Sequence, residues 1–143
     1  MNLPLLQVAL DETSLENAVK SVKQYGHVID IVEVGTILHY AEGAKAVSVL
    51  REMYPNKILL DDIKGADAGK TLAEICFGAG ADTMTAICSA DVNTMIAMKK
   101  VGDSYGSGKD VQVELYGDWT FEHAQSWLDA GLIDGLLVNG SAK

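Results

Sequence analysis

Short apolar segments alternate with longer amphipathic segments along the whole chain. The short segments predict β-strands over residues 5–10, 28–32, 58–60, 82–87, 111–115 and 133–138. In the segments between them, apolar residues recur at every third or fourth position, which predicts a helix after each of the first five strands. The second of these helices is predicted over 42–53 and the last over 120–130. Regular strand–helix alternation indicates a parallel sheet covered by helices.

Polar residues at the starts of these helices match known capping patterns. Thr13 followed three positions later by Glu16 is a capping box, so Thr13 is the expected N-cap of the first helix. Asp67 and Asp91 stand where the third and fourth helices begin and are their expected N-caps. Residues 103–109 are expected to form a turn before the fifth strand.

Two parallel architectures fit this alternation. A (β/α)8 TIM barrel would need eight units, of which about six are present, whereas a doubly wound open sheet needs only five or six strands. Acids and one lysine follow or end four of the apolar strands, namely Asp11, Glu33, Asp62 with Lys64, and Glu114. Barrel enzymes build their sites at that end of several strands, so the pattern favours an α/β fold of TIM-barrel type. We expect residues 1–143 to form a single, partial barrel domain.

Composition narrows the class of partner. The chain has 143 residues, 48% of them hydrophobic, and a net charge of -9, which argues against nucleic acid and anionic membrane. No apolar run approaches the roughly 20 residues that a membrane span requires. The two cysteines lack CxxC spacing, so we expect reduced thiols in a cytoplasmic protein.

The most informative polar pair is Asp62 and Lys64. Because they are two positions apart on a strand, they are expected on the same face. A structural ion pair, with Asp67 acting only as a helix cap, explains the same spacing, and Glu33 could instead pair with Lys64 across neighbouring strands. The spacing alone leaves these alternatives open.

The three histidines have no partner spacing typical of a metal site or a catalytic triad. We expect His27, His39 and His123 on the surface, with His39 in a loop.

Four ordered motifs resemble a known family. These are LQVALD at 6–11, DIVEVGT at 30–36, DIKGADAG at 62–69 and AGAD at 79–82. Together they are similar to the orotidine 5'-monophosphate decarboxylase suprafamily, over residues 3–131. Within it, Glu33 replaces the lysine of the orotidine decarboxylases, and Ile37 replaces the proline that hexulose-6-phosphate synthases carry after Gly35-Thr36. The segments at 111–115 and 119–131 also resemble the 3-keto-L-gulonate-6-phosphate decarboxylases.

The resemblance implies a reaction and a cofactor. Glu33 and Asp62 would bind Mg²⁺, and 3-keto-L-gulonate 6-phosphate would lose CO₂ to give L-xylulose 5-phosphate through a cis-enediolate. Lys64 would be a fixed cation beside the charge that develops. Carboxylate oxygen suits Mg²⁺, a hard cation.

The resemblance also implies further site residues and a partner. Asp67 would reach across a homodimer interface into the partner's site, Asp11 would contact substrate hydroxyls, and Glu114 would lie near the lysine. A formaldehyde-fixing aldolase of the hexulose-6-phosphate synthase type would use the same enediolate chemistry.

The chain departs from the resembled family at two places. Residues 136–143 contain none of the histidine and arginine that the family carries after the sixth strand, and two further strands are missing. We therefore expect a truncated product, and an inactive fragment that acts only by association is an alternative. Asp61 replaces the family's usual alanine and is expected to point toward the helices, where a buried charge reduces stability.

Overall fold

Six parallel strands form one sheet in the computed structural model, which describes residues 3–138. The strands are β1 (Gln7–Leu10), β2 (Ile31–Val34), β3 (Ile58–Gly65), β4 (Thr83–Ile87), β5 (Asp110–Leu115) and β6 (Gly135–Val138). The helices are α1 (Leu15–Tyr25), α2 (Thr36–Glu42), α3 (Ala44–Met53), α4 (Gly69–Gly78), α5 (Val92–Tyr105) and α6 (Phe121–Asp129).

Each strand lies beside the one that precedes it in the chain, in the order β1 to β6. A doubly wound sheet reverses its strand order at a switch point, and no reversal is present among these six strands. Since βαβ crossovers are right-handed, a sequential order places every helix on the same face of the sheet. The predicted TIM-barrel type of fold is therefore confirmed, as a half-barrel of six strands.

The two faces of the sheet bury different kinds of side chain. Side chains directed toward the helices, such as Val32, Leu59, Met84 and Val113, are fully buried and form the hydrophobic core. On the opposite face, Ile58 is 37% exposed at the start of β3, whereas Leu60, Asp62 and Thr85 are buried. The buried polar groups of the sheet therefore include residues on the face opposite the main core.

The second and third strands differ from their predicted bounds. Residues 26–28 form a turn in which the Val28 amide donates to the Tyr25 carbonyl, so β2 begins at Ile31 and includes Glu33. The third strand continues past the predicted 58–60 to Gly65, because pairing with β4 resumes there after an irregularity.

The helix predicted over 42–53 corresponds to α3, and a further helix, α2, which was not predicted, precedes it. Gly43 adopts φ 63, a left-handed value that an L side chain rarely takes, and it separates α2 from α3. The helical residues before Gly43 include His39, which was predicted in a surface loop. That prediction was wrong, because α2 holds His39 half-buried against β3.

Two predicted N-caps were wrong. The cap of α1 is Ser14 rather than Thr13, since extended Ser14 accepts a hydrogen bond of 3.4 Å from the Asn17 amide. The residue before α4 is Ala68, in the left-handed region with no side-chain cap, so Asp67 caps nothing.

Asp91 does cap α5, accepting from the Asn93 amide at 2.8 Å, as predicted. That helix continues to Tyr105, so the predicted turn at 103–109 is shortened to the residues that follow it.

Two further predictions concern the chain's extent and its environment. The departure from the resembled family falls partly on residues 139–143, which lie outside the described residues. Over the described part of the chain, no helix has the length and apolar character needed to cross a membrane.

Candidate active site

Lys64 is the centre of a charged cluster at the carboxyl end of the sheet. Its Nζ lies 2.6 Å from Asp62 Oδ2 on the same strand and 2.5 Å from Glu114 Oε2 on β5. The Asp62 and Glu114 side chains are only 9% and 2% exposed. Two carboxylates that burial would otherwise destabilise thus share one ammonium group. The predicted common face of Asp62 and Lys64 is confirmed.

The environment of Lys64 keeps it charged. Burial alone would lower the pKa of its ammonium group, but the hydrogen bonds and negative charges of Asp62 and Glu114 raise it above its ordinary value. Lys64 is therefore held as a fixed cation and is not suited to act as a general base near neutral pH.

The Asp62 carboxylate is fixed from two further sides. Thr36 Oγ1, at the start of α2, donates to Asp62 Oδ2 at 2.7 Å. Thr85 Oγ1, on β4, donates to Asp62 Oδ1 at 2.7 Å. Asp62 is therefore oriented by three groups from three elements, its own strand included.

Glu33 is buried on the neighbouring strand and binds Gln7. Gln7 Nε2 donates to Glu33 Oε2 at 2.5 Å, so the alternative in which Glu33 pairs with Lys64 is wrong. Burial raises the pKa of Glu33; the Gln7 hydrogen bond opposes this, and the charges of Asp62 and Asp11 add to it. Glu33 therefore sits in an excess of negative charge that Lys64 only partly offsets.

The donor set fits a hard divalent cation. Glu33 and Asp62 offer carboxylate oxygens on adjacent strands, and the pKa of Glu33 is raised first by burial and then by the nearby charges of Asp62 and Asp11, which a bound cation would offset. Within residues 3–138, no group of three or more His, Cys, Asp or Glu side chains has the arrangement of a metal site. A cation here would thus have two protein ligands and keep several waters, as Mg²⁺ commonly does.

Asp11 and Asp67 flank this cluster. Asp11 follows β1, is exposed, and its carboxylate lies against Gly35 at the end of β2. Asp67 is exposed in the loop after β3 and lines a surface recess together with Lys64, Tyr40 and Leu72. The six predicted site residues therefore gather at one end of the sheet.

Three polar contacts of this site were missed from the sequence. Gln7, Thr36 and Thr85 orient the predicted acids, but each does so from a different strand or helix. Their contacts depend on strand register and on helix placement, which the spacing within one strand does not contain. The two threonines in the apolar run 83–87, Thr83 and Thr85, were the available signal.

A second charged cluster lies behind β3. Asp61 is fully buried toward the helices, as predicted, and its Oδ1 lies 2.7 Å from His39 Nδ1. Among residues 3–138, no nitrogen or oxygen atom hydrogen-bonds its Oδ2, and the Cys76 thiol is the other polar group that interacts with this carboxylate. The hydrogen bond to Asp61 raises the pKa of His39 against the effect of burial, and burial with the Asp61 charge raises that of the Cys76 thiol.

Comparisons with known proteins show which proteins this chain resembles. A 3-keto-L-gulonate-6-phosphate decarboxylase of Escherichia coli is 49% identical over 132 residues, which are 92% of this chain and 60% of that protein. The chain thus spans about 60% of the length of the curated relatives it matches.

Solved structures show the same fold. KGPDC from Streptococcus mutans superposes with a TM-score of 0.93 at 44% identity, covering 98% of this chain and 64% of that one. The 3-hexulose-6-phosphate synthase from Salmonella typhimurium gives 0.86 at 33% identity, covering 93% and 62%. A family model matches residues 4–143. The chain belongs to the orotidine 5'-phosphate decarboxylase / HUMPS family.

Proposed function

We propose that the protein is a Mg²⁺-dependent carboxy-lyase that converts 3-keto-L-gulonate 6-phosphate to L-xylulose 5-phosphate and CO₂ in the cytoplasm. The observation that carries the proposal is the position of Lys64, held between two buried carboxylates beside Glu33. The relatives named as decarboxylases support the choice of reaction.

The chemistry requires a fixed positive charge. When the carbon–carbon bond to the carboxylate breaks, its electron pair moves onto the neighbouring carbonyl and leaves an enediolate, which a proton then quenches at carbon. An ammonium group that is already oriented stabilises this charge without reorganising during the reaction. Asp62 and Glu114 hold Lys64 in that way, and Thr36 and Thr85 hold Asp62.

Glu33 and Asp62 would hold the Mg²⁺ ion. When bound, the ion would supply positive charge next to the substrate oxygens on which negative charge develops. Asp11, exposed at the end of β1, would accept hydrogen bonds from substrate hydroxyl groups.

We also propose a homodimer in which Asp67 completes the partner's site. Asp67 is exposed and caps no helix, so its carboxylate is available for another role. Tyr40 on α2, which is 80% exposed, lines the same recess as Asp67, and Ile37 on the same helix is 49% exposed. Both side chains provide apolar surface for association.

The test is CO₂ release from 3-keto-L-gulonate 6-phosphate with Mg²⁺ present. Lys64→Gln should abolish release, because no other described group takes the place of its charge between Asp62 and Glu114. Lys100→Gln, which alters an exposed lysine on α5, is the matched control and should release CO₂ like the unmodified chain. Release that survives Lys64→Gln, or no release from the unmodified chain, would contradict the proposal.

A second candidate is the aldolase reaction of the hexulose-6-phosphate synthases. The structural similarity to the Salmonella typhimurium synthase favours it, since an enediolate is again the species to stabilise. Incubation with ribulose 5-phosphate and formaldehyde separates the two. Formation of a hexulose phosphate faster than CO₂ release would favour the aldolase.

A further inference from the structure

Thr85 lies opposite an irregularity in β3. Asp61 pairs with Met84 and Gly65 pairs with Ala86, so the three residues 62–64 of β3 face the single residue Thr85 of β4. The backbone of that three-residue segment therefore departs from the regular ladder. Asp62 and Lys64 are the two ends of this segment.

The Thr85 hydroxyl joins these two ends. Thr85 Oγ1 accepts a hydrogen bond of 3.0 Å from the Lys64 backbone amide. Because an amide can only donate, the single hydroxyl proton is available for Asp62 Oδ1, 2.7 Å away. Thr85 is fully buried, so water does not compete for either bond.

The backbone at Lys64 needs such support. Lys64 has φ 52, in the left-handed region that L residues rarely adopt. A Cβ on the next residue, Gly65, would overlap the Met98 methyl group, which would have to shift. A conformation of this kind persists only where its surroundings fix it. Thr85, whose branched side chain is stiff about χ1, provides one fixed contact.

We propose that Thr85 is a positioning residue that sets the Asp62 carboxylate and the Lys64 backbone in one arrangement through a single hydroxyl group. The proposal rests on the proposed function for its effect on metal binding and turnover. Its structural part stands on the two hydrogen bonds alone.

The test compares two variants of the full chain, each of which removes a different group of the Thr85 side chain. Thr85→Val keeps the branched shape and removes the hydroxyl, whereas Thr85→Ser keeps the hydroxyl and removes the methyl group. We would measure Mn²⁺ and Mg²⁺ binding by calorimetry and the hydrogen exchange of the Lys64 amide by NMR. Steady-state kinetics on 3-keto-L-gulonate 6-phosphate would add the split between kcat and KM.

We expect Thr85→Val to weaken metal binding by about 10–100-fold, the usual effect of removing a group that orients a ligand. Its Lys64 amide should exchange faster, and kcat should fall more than KM rises. Thr85→Ser should restore metal affinity and amide protection. Unchanged affinity and protection in Thr85→Val would overturn the proposal, as would equal damage in both variants, which would indicate packing by the methyl group.

Two further outcomes remain decisive. If Thr85→Val does not fold, the test uses the hydrogen-exchange rate of the Lys64 amide in the unmodified chain. Slow exchange would support the proposal, and rapid exchange would overturn it. If the unmodified chain binds neither metal, the proposed function fails, while amide protection that is lost in Thr85→Val and kept in Thr85→Ser would still support the positioning role.

Discussion

Asp61 and Asp62 are adjacent in the chain, lie on opposite faces of β3, and are both bound by α2. Thr36, in the first turn of that helix, donates to Asp62, and His39, one turn later, lies 2.7 Å from Asp61. The helix is thus attached to the site through one carboxylate and to the core through the other. A change behind the strand is therefore expected to affect the site in front of it.

We expect substitutions of His39 and Asp61, the pair behind β3, to lower stability by different amounts. His39→Ala leaves the fully buried Asp61 carboxylate without the imidazole that lies 2.7 Å away and should lower the free energy of unfolding by about 3 kcal/mol. Asp61→Ala should cost less, because His39 can then lose its proton. The double variant should resemble Asp61→Ala.

Chemical denaturation at neutral pH measures these differences. His27→Ala, which removes an exposed histidine, is the control and should change the free energy of unfolding little. If His39→Ala and Asp61→Ala lowered the free energy of unfolding equally, the unpaired Asp61 carboxylate would not be the cause of the His39→Ala effect.

The same pair predicts a pH dependence of stability. The pKa of His39 is raised in the folded chain by its hydrogen bond to Asp61. Its contribution is therefore complete below the ordinary histidine pKa of about 6.5 and is lost as the pH rises through the folded value. The difference in unfolding free energy between the unmodified chain and His39→Gln should shrink with rising pH. Denaturant titrations across that range measure it, and a difference that grows would contradict the assignment.

The sequence predicted those features that depend on spacing within one strand. Asp62 and Lys64, two positions apart, do share a face, and Asp61 between them does point toward the helices. What it did not predict depends on contacts between elements. The cross-strand bond of Gln7 to Glu33 follows from the pairing of β1 with β2, which no local pattern encodes.

The predicted helix boundaries were wrong for a related reason. The apolar stripe on one side of Gly43 was read as the start of a helix, but the residues before it, Thr36 and His39 among them, are helical as well. Their helical state depends on contacts with β3 that lie 22 to 26 residues away in the chain. Asp67 was taken for a cap because its position suits one, although the loop before α4 continues to Ala68.

Glu33 predicts how metal binding responds to pH. Because burial raises its pKa, Mg²⁺ must compete with a proton at a higher pH than at an ordinary glutamate. Gln7→Leu removes the hydrogen bond that opposes this shift, so affinity should begin to fall at a higher pH than in the unmodified chain. Glu33→Gln should abolish binding.

Calorimetric titration of Mg²⁺ at several pH values measures the shift. Gln24→Leu, an exposed position on α1, is the control. If the Mg²⁺ affinity of Gln7→Leu changed with pH as it does in the unmodified chain, the assignment of Glu33 as a metal ligand would be contradicted.

Arg51 predicts a stability effect at the opposite end of the sheet. Its Nη1 donates to the carbonyls of Tyr54, Pro55 and Lys57, and its Nη2 binds Asp82. An ammonium group cannot reproduce this planar array, so Arg51→Lys should cost about 2 kcal/mol. Lys45→Ala, exposed on the same helix, is the control for thermal and denaturant unfolding.

The proposed exchange of Asp67 between subunits predicts that two inactive proteins restore activity when mixed. Lys64→Gln and Asp67→Asn should each be inactive as homodimers, since each lacks one group in both sites. In a mixed dimer, one site receives Lys64 from one chain and Asp67 from the other and is complete. Random exchange gives half mixed dimers, so activity should recover to about one quarter of the unmodified value.

The control for this experiment weakens association itself. Tyr40→Asp places a charge on the exposed face of α2 and should shift sedimentation toward the monomer. Adding that change to both inactive proteins should prevent the recovery, because the complete site forms only between subunits. If Asp67 instead acted within its own chain, every site in the mixed dimer would lack one of the two groups. Mixing would then restore no activity, so this assay distinguishes an Asp67 that acts in the partner's site from one that acts in its own.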